Sequence, residues 1–517
     1  MLLELLIPFL LLALYIGFSP FSSKSNSKTL HPYPPSPKLR LPFVGHLHLL
    51  KLPLHHSLIR LSKQYGPFIL SLLWFYANHC CFHFLNFSNY SFKPMKVSSF
   101  NTGFQPSALG DYLWQLSGQG SFGPYWKFIR KLIMNDLLNA TTVSKLRPLR
   151  SREIRKVLKA LANNSESNKV VNVTEELLKW TNSTISMMML GEAELVKDIV
   201  REVLKIFGEY SLSDFIWPLK KLKVGEYEKR IEDIFNKFDP VIEKVINKRQ
   251  EIRERRKNGE IIEGESVVFL DTLLEFSEDP TMEIKISKEQ IKGLVVDFFS
   301  AGTDSTAVAT EWALAELINN PHVLKKAQEE LNEVVGKDRL ADELDVPNLP
   351  YIRAIVKETF RLHPPLPVVK RRCVQECVVD NYTIPQGALI LFNVWSVGRD
   401  PKYWNNPSEF RPERFLENVE GEQGIDVKGQ HFQLLPFGSG RRMCPGVSLA
   451  TSGISTLLAT LIQCFELNPV GPQGNVLKGD DAKVSMEERP GLSVPRAHNL
   501  MCVPVARAGS PVKLLSS

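Results

Sequence analysis

Near its C-terminus the chain reads Pro436-Phe-Gly438-Ser-Gly440-Arg-Arg442-Met-Cys444-Pro-Gly446, a cysteine in a glycine-rich loop with arginine two residues before it. A thiolate held there can ligate iron. Glycines let the backbone wrap close to a flat macrocycle, and neighbouring amides can hydrogen-bond the sulfur. An axial thiolate also pushes electron density toward the metal, which favours O–O cleavage. A merely structural buried cysteine needs no such run of glycines. A dinucleotide loop fits poorly, because Met443 stands where the third glycine of Gly-x-Gly-x-x-Gly belongs.

A second set of chemically able residues lies in a long apolar helical pattern. Ser287 stands three residues before Gln290, a capping-box spacing, and the pattern then runs to Asn320 as one helix. Such a helix is about 50 Å long at 1.5 Å per residue, enough to cross a domain. In its middle, Ala301-Gly-Thr-Asp304-Ser305-Thr306 interrupts the apolar run with glycine and hydroxyls, at a cost in helix propensity. Taken alone, this reads more readily as a packing kink than as chemistry. Two further pairs share a helix face by spacing: Trp126 with Arg130, and Glu358 with Arg361.

These residues need a large scaffold, and the chain supplies one. Its 517 residues are 44% hydrophobic and 23% charged, which is globular usage and excludes a disordered protein. Helical patterns dominate from Tyr125 to about Leu362, and shorter strand-like pieces follow at Tyr382-Thr-Ile and Ala388-Leu-Ile-Leu-Phe. The expected fold is mainly α with minor β, in one catalytic body over 43–517. A net charge of +7 is small for this length and selects no partner. The mixed-sign run Lys248–Lys257 fits the solvated end of a helix, so no nucleic-acid partner is expected. Seven cysteines without a repeated Cys-x-x-Cys framework point to a reducing compartment, and the seven glycosylation sequons read as chance matches.

The N-terminal stretch Met1–Phe18 carries one charge, Glu4, and approaches the length that spans a bilayer. It lacks the basic start and small-residue cleavage pattern of a signal peptide, so residues 1–19 are read as a retained anchor in membrane lipid. Lys24, Lys28, Lys38 and Arg40 follow it and place the body on the cytosolic side. Within the basic and proline-rich linker, 20–42, the run His31-Pro-Tyr-Pro-Pro-Ser-Pro37 favours a stiff extended segment that holds the body off the membrane.

The loop at Cys444 resembles the haem loop of the cytochrome P-450 superfamily, Phe-x-x-Gly-x-Arg-x-Cys-x-Gly, at Phe437, Gly440, Arg442, Cys444 and Gly446. Three more of that family's signatures occur in its order: Ala301-Gly-Thr-Asp-Ser305, Glu358-Thr-Phe-Arg361 and Phe410-Arg-Pro-Glu-Arg414-Phe. The resemblance implies haem b (iron protoporphyrin IX) on Cys444, and a buried triad of Glu358, Arg361 and Arg414. It implies cofactor contacts from Trp126, Arg130, Ala301, Arg372, Pro436, Phe437, Gly438, Arg442 and Gly446, with the arginines and Trp126 reaching the propionates. Asp304 and Ser305 become a proton relay for O2, with serine where most relatives have threonine. Electrons come from NADPH through a partner reductase, docked where basic residues such as Lys127, Lys131 and Arg441 surround the proximal face. An endoplasmic reticulum membrane location follows.

A narrower likeness is to the plant flavonoid-oxidising branch, and within it to the isoflavone synthases. It covers Phe122–Lys131, Thr174–Glu192 and Val295–Asn320. It implies flavanone substrates such as naringenin and liquiritigenin, with hydrogen loss at C3, aryl migration from C2 to C3 and hydroxylation at C2. The implied substrate contacts are Val296, Phe299, Ala301, Ser305, Leu366, Val369, Lys370 and Leu492. Lys370 would bond a phenol or carbonyl oxygen of the substrate, although by itself it reads as a snorkelling surface charge. Flavanone 2-hydroxylation and flavone formation are the alternative reactions of the branch.

Two stretches depart from the family: 68–97, which includes Trp74–His83, and 110–121. His79, Cys80, Cys81 and His83 are too close in sequence to form a tetrahedral metal site, and Gly118-x-Gly120-x-x-Gly123 lacks a preceding strand. A locally shifted reading frame accounts for both stretches. If they are genuine, part of a sheet and the pocket-lining loop are expected to be compromised, leaving an inactive haem-binding protein as a further reading.

Overall fold

A computed structural model describes residues 31–39, 45–72, 81–85, 100–101, 122–193, 202, 226–262, 266–416, 424–471, 473–477, 479 and 482–515. The anchor 1–19 and most of the two unusual stretches lie outside them. In chain order the main helices are α1 (Leu54–Tyr65), α2 (Pro124–Leu132), α3 (Arg147–Glu166), α4 (Val173–Leu190), α5 (Glu226–Lys257) and α6 (Phe269–Glu278). They continue with α7 (Lys288–Gly302), α8 (Asp304–Asn319), α9 (Pro321–Val334), α10 (Pro350–Leu362) and α11 (Val447–Cys464). The strands are β1 (Phe68–Leu72), β2 (Cys81–Leu85), β3 (Phe100–Asn101), β4 (Val171–Asn172) and β5 (Val368–Cys373). After them come β6 (Cys377–Val379), β7 (Tyr382–Ile384), β8 (Leu389–Asn393), β9 (Phe465–Pro469) and β10 (Met501–Ala506). Helix content dominates, and both strand-like pieces after residue 380 are strands.

The chain forms two units. The first takes residues 1–107, 210–224 and 367–405. Its sheet runs β1-β2-β8-β5-β3, with β2 parallel to β8 and the other pairs antiparallel. Both β1 and β2 lie inside the stretch 68–97, so the described part of that stretch builds the sheet rather than breaking it. Successive residues on β5 point to opposite faces. Val369 and Cys373 join Phe68, Ile390 and Phe392 in an apolar cluster.

The proline segment is extended, as its composition dictates, and it is also hydrogen-bonded to strands of the first unit. The Thr383 N–H donates to the Pro32 carbonyl (2.8 Å), its hydroxyl donates to the His31 carbonyl (2.9 Å), and the Leu70 N–H donates to the Pro35 carbonyl (2.8 Å). Pro34 and Pro37 are buried. Prolines keep free carbonyls while offering no N–H, so they can cap the edge groups of β1 and β7 as acceptors.

The second unit takes 108–209, 225–366 and 406–517. Its core gathers Ile129 and Leu132 of α2, Met188 and Met189 of α4, Ile242 and Ile246 of α5, and Leu294 and Phe299 of α7. A smaller sheet, β4-β10-β9, lies in the same unit. Helix α11 is long and apolar enough to cross a membrane, but 67% of it is buried inside this unit, as befits a core helix.

Two expectations are corrected here. The helix from Ser287 starts as predicted, with the Ser287 Oγ accepting from the Gln290 N–H (3.3 Å) and the Gln290 Oε1 accepting from the Ser287 N–H (2.8 Å). It does not run unbroken to Asn320: α7 ends at Gly302, and α8 begins at Asp304. A Cβ at Gly302 would stand 2.7 Å from Ile185 Cδ1 of α4, so a larger residue there requires the Ile185 side chain to move. The run Lys248–Lys257 is not wholly solvated either. Arg249 is 1% exposed, its Nε donates to Asp271 Oδ1 (2.9 Å), and a second bond joins Arg249 Nη2 to Asp271 Oδ2. The Arg249 Nη2 also donates to the Ser266 carbonyl (2.9 Å), which ties α5 to the start of α6.

Removing one partner of such a buried pair leaves an uncompensated charge. Asp271→Ala should therefore lower unfolding free energy by about 3 kcal/mol, read from the urea midpoint of the unfolding transition. The double change Arg249→Met with Asp271→Leu should recover most of that loss.

Candidate functional site

The cysteine loop is built by its own backbone. Gly438 and Gly440 take φ of +70° and +71°, left-handed values that glycine adopts without strain. The Cys444 N–H donates to the Phe437 carbonyl (3.0 Å), and the Ser439 Oγ donates to the Gly429 carbonyl (2.6 Å). Cys444 thereby stands just ahead of α11, with the Gly446 amide donating to its sulfur. Burial pushes the thiol pKa up, while that amide and the nearby Arg130 charge pull it down. A metal must displace the thiol proton to bind.

Around the loop stand cations and an aromatic. Arg130 Nη2 donates to the Met443 carbonyl (2.7 Å), one residue before the cysteine. The Arg442 guanidinium lies 4.3 Å over the ring of Trp126, which is 6% exposed. Farther out, Arg441 and Lys127 both face the Phe122 ring, at 4.7 and 5.2 Å. Lys127, Lys131 and Arg441 are all exposed.

The triad assembles as expected. Arg361 donates twice to Glu358, at 2.7 Å each, and Arg414 Nε donates to Glu358 Oε1 (3.0 Å). The three residues are 0 to 2% exposed. The Arg411 N–H also reaches Glu358 (2.8 Å), and Arg361 donates to the carbonyls of Pro407 and Glu409. Between the two charges on α10, the Phe360 ring meets Phe437 edge-on at 5.0 Å. The triad thus bears on the cysteine loop through one aromatic contact.

At the helix break, Ala301 is exposed although Phe299 and Thr303 on either side are 1% exposed. A surface opening in mid-helix between buried neighbours is what a flat ligand requires there. Ser305 Oγ donates to the Ala301 carbonyl (2.8 Å), and Asp304 accepts a hydrogen bond from the Ser493 hydroxyl. Sequence reasoning missed Ser493; the Pro490-Gly491 turn was the signal available for its loop. The Val494 N–H donates to the Pro365 carbonyl (3.0 Å), which links the loop of Leu492 to the segment before Leu366. These two leucines are 40% and 37% exposed, whereas Val296 and Phe299 pack into the core. Val369, Lys370 and Arg372 lie on β5 in the first unit.

The donors fit a haem: one sulfur for iron, glycines that admit a flat ring, and the guanidiniums of Arg130 and Arg442 for its carboxylates. Glu358→Gln should cost about 3 kcal/mol or more, because two buried guanidiniums lose the carboxylate they share. The check is the yield of folded, haem-loaded protein together with its thermal midpoint.

The family model for cytochrome P450 matches residues 34–493. The chain is 71% identical to a 2-hydroxyisoflavanone synthase of Glycyrrhiza echinata and 70% identical to one of Glycyrrhiza uralensis, in each case covering 100% of both chains. It is also 70% identical to a 2-hydroxyisoflavanone synthase of Glycine max, over 94% of each. With the cysteine loop and the buried triad both formed, the chain belongs to the cytochrome P450 family.

Proposed function

We propose that this chain is a haem-thiolate monooxygenase that converts a flavanone to a 2-hydroxyisoflavanone by hydroxylation with aryl migration, in isoflavonoid biosynthesis. The observation that carries this reading is the 71% identity to such a synthase along the whole chain. Electrons reach it from NADPH through a partner reductase on the face of Lys127, Lys131 and Arg441. Residues 1–19 anchor it in the endoplasmic reticulum membrane, with 43–517 as the cytosolic catalytic body.

Bound haem supplies the activation of O2, one atom entering the substrate and the other leaving as water. The protein's own residues do the rest. Cys444 holds the iron, and the Gly446 amide tempers the charge on its sulfur. Arg130, Arg442 and Arg372, with Trp126, hold the propionates. Asp304 and Ser305 hold protons on the substrate side, and Ser305 must rotate from its bond to Ala301 to pass one on. Ala301, Leu366 and Leu492 present apolar surface that excludes water and seats the flavanone. Lys370 would bond an oxygen of the substrate and set which C–H faces the iron.

A reduced carbon monoxide spectrum with a naringenin turnover assay tests the reading; 2-hydroxyflavanone or flavone as sole product would overturn the migration. Cys444→Ala should abolish the Soret band of a thiolate-ligated haem and all turnover. Lys370→Thr should shift product from migration toward simple 2-hydroxylation or flavone by about tenfold, the worth of one hydrogen bond to a charged group. An unchanged product ratio removes Lys370 from that role.

A further inference from the structure

We propose that Ser493 is a positioning residue for the carboxylate of Asp304, clamped so that this carboxylate stays fixed in direction while protons are delivered. The inference rests on the monooxygenase reading above and adds a residue to it. Asp304 is the first residue of α8, directly after the break at Thr303, and the Ser493 hydroxyl donates to its Oδ2. That hydroxyl has one proton to give, and given to Oδ2 it fixes the direction of the carboxylate.

Ser493 is not free to wander. Its neighbour Val494 is pinned twice, by its N–H to the Pro365 carbonyl (3.0 Å) and by its carbonyl, which accepts from Trp312 Nε1 (2.9 Å). Trp312 is 1% exposed and lies on α8 about two turns beyond Asp304. On the other side of Ser493, a Cβ at Gly491 would stand 2.5 Å from the Ser493 carbonyl oxygen. The turn therefore closes only over glycine. The loop is strapped to α8 at both Asp304 and Trp312, and the exposed side chain of Leu492 rides on it. Ser305 meanwhile spends its own proton on the Ala301 carbonyl, so Ser493 is the described hydroxyl that serves Asp304.

Without the Ser493 hydroxyl, the Asp304 carboxylate is free to turn. Proton delivery then fails, and electrons from NADPH leave on O2 as hydrogen peroxide instead of entering product. The test uses the full-length, reductase-coupled protein and compares Ser493→Ala, Ser493→Thr, Gly491→Ala, Asp304→Asn and the pair Ser493→Ala with Asp304→Asn. The readouts are product formed per NADPH, the reduced carbon monoxide spectrum, and amide hydrogen exchange over 301–307.

Ser493→Ala should keep the thiolate-haem spectrum and lower coupling about tenfold. It should also speed exchange over 301–307. Ser493→Thr should restore both, and Gly491→Ala should reproduce the loss although the hydroxyl remains. In the Asp304→Asn background, Ser493→Ala should change coupling less than about twofold, as expected for residues that act through one another. Equal losses in the alanine and threonine variants, unchanged coupling in Gly491→Ala, or additive losses with Asp304→Asn overturn the proposal. A missing thiolate-haem spectrum in the unsubstituted protein overturns the monooxygenase reading instead. Unchanged exchange over 301–307 in Ser493→Ala overturns the clamp by itself.

Discussion

Burying a carboxylate is tolerable only when cations and donors surround it, and Glu358, at 0% exposure, is met by Arg361, Arg414 and the Arg411 amide. The excess positive charge is absorbed by the carbonyls of Pro407 and Glu409. This knot fixes α10 against the 407–414 segment, and Phe360 carries the constraint to Phe437 at the head of the cysteine loop. The loop must hold a sulfur in one direction while its glycines keep their side open. Its rigidity therefore has to come from outside it, and this knot is one source.

The Ala301–Thr306 segment serves packing and chemistry at once. Gly302 packs closely against Ile185, and the Ser305 hydroxyl bonds back to Ala301 as hydroxyls in helices do. Yet the same break makes Asp304 the start of a new helix and exposes Ala301 between buried neighbours. The Thr303 hydroxyl is buried with no hydrogen-bond partner among the described residues, a cost of about 1–3 kcal/mol. A kink of purely structural purpose would not need that expense.

Much of the site was legible because its residues are near in sequence and their spacing has a physical period. The cysteine loop, the Ser287–Gln290 cap, the Glu358–Arg361 face and the strands at 382–384 and 389–393 are of this kind. What escaped was decided by distant partners. Arg249 reads as solvated because Asp271, its counter-ion, is 22 residues away, and Ser493 meets Asp304 across 189 residues. Helical periodicity continues through 302–304 on both sides, so no pattern of apolar residues can report one turned backbone unit. Nor can composition foresee that the carbonyls of Pro32 and Pro35 accept from the Thr383 and Leu70 amides.

That last feature bears on where the chain can be shortened. Removing residues 1–37 would strip the acceptors from the Thr383 and Leu70 amides and uncover the ground that Pro34 and Pro37 cover. A shortened chain is better begun before residue 31, so that the stitched segment stays as part of the first unit's edge.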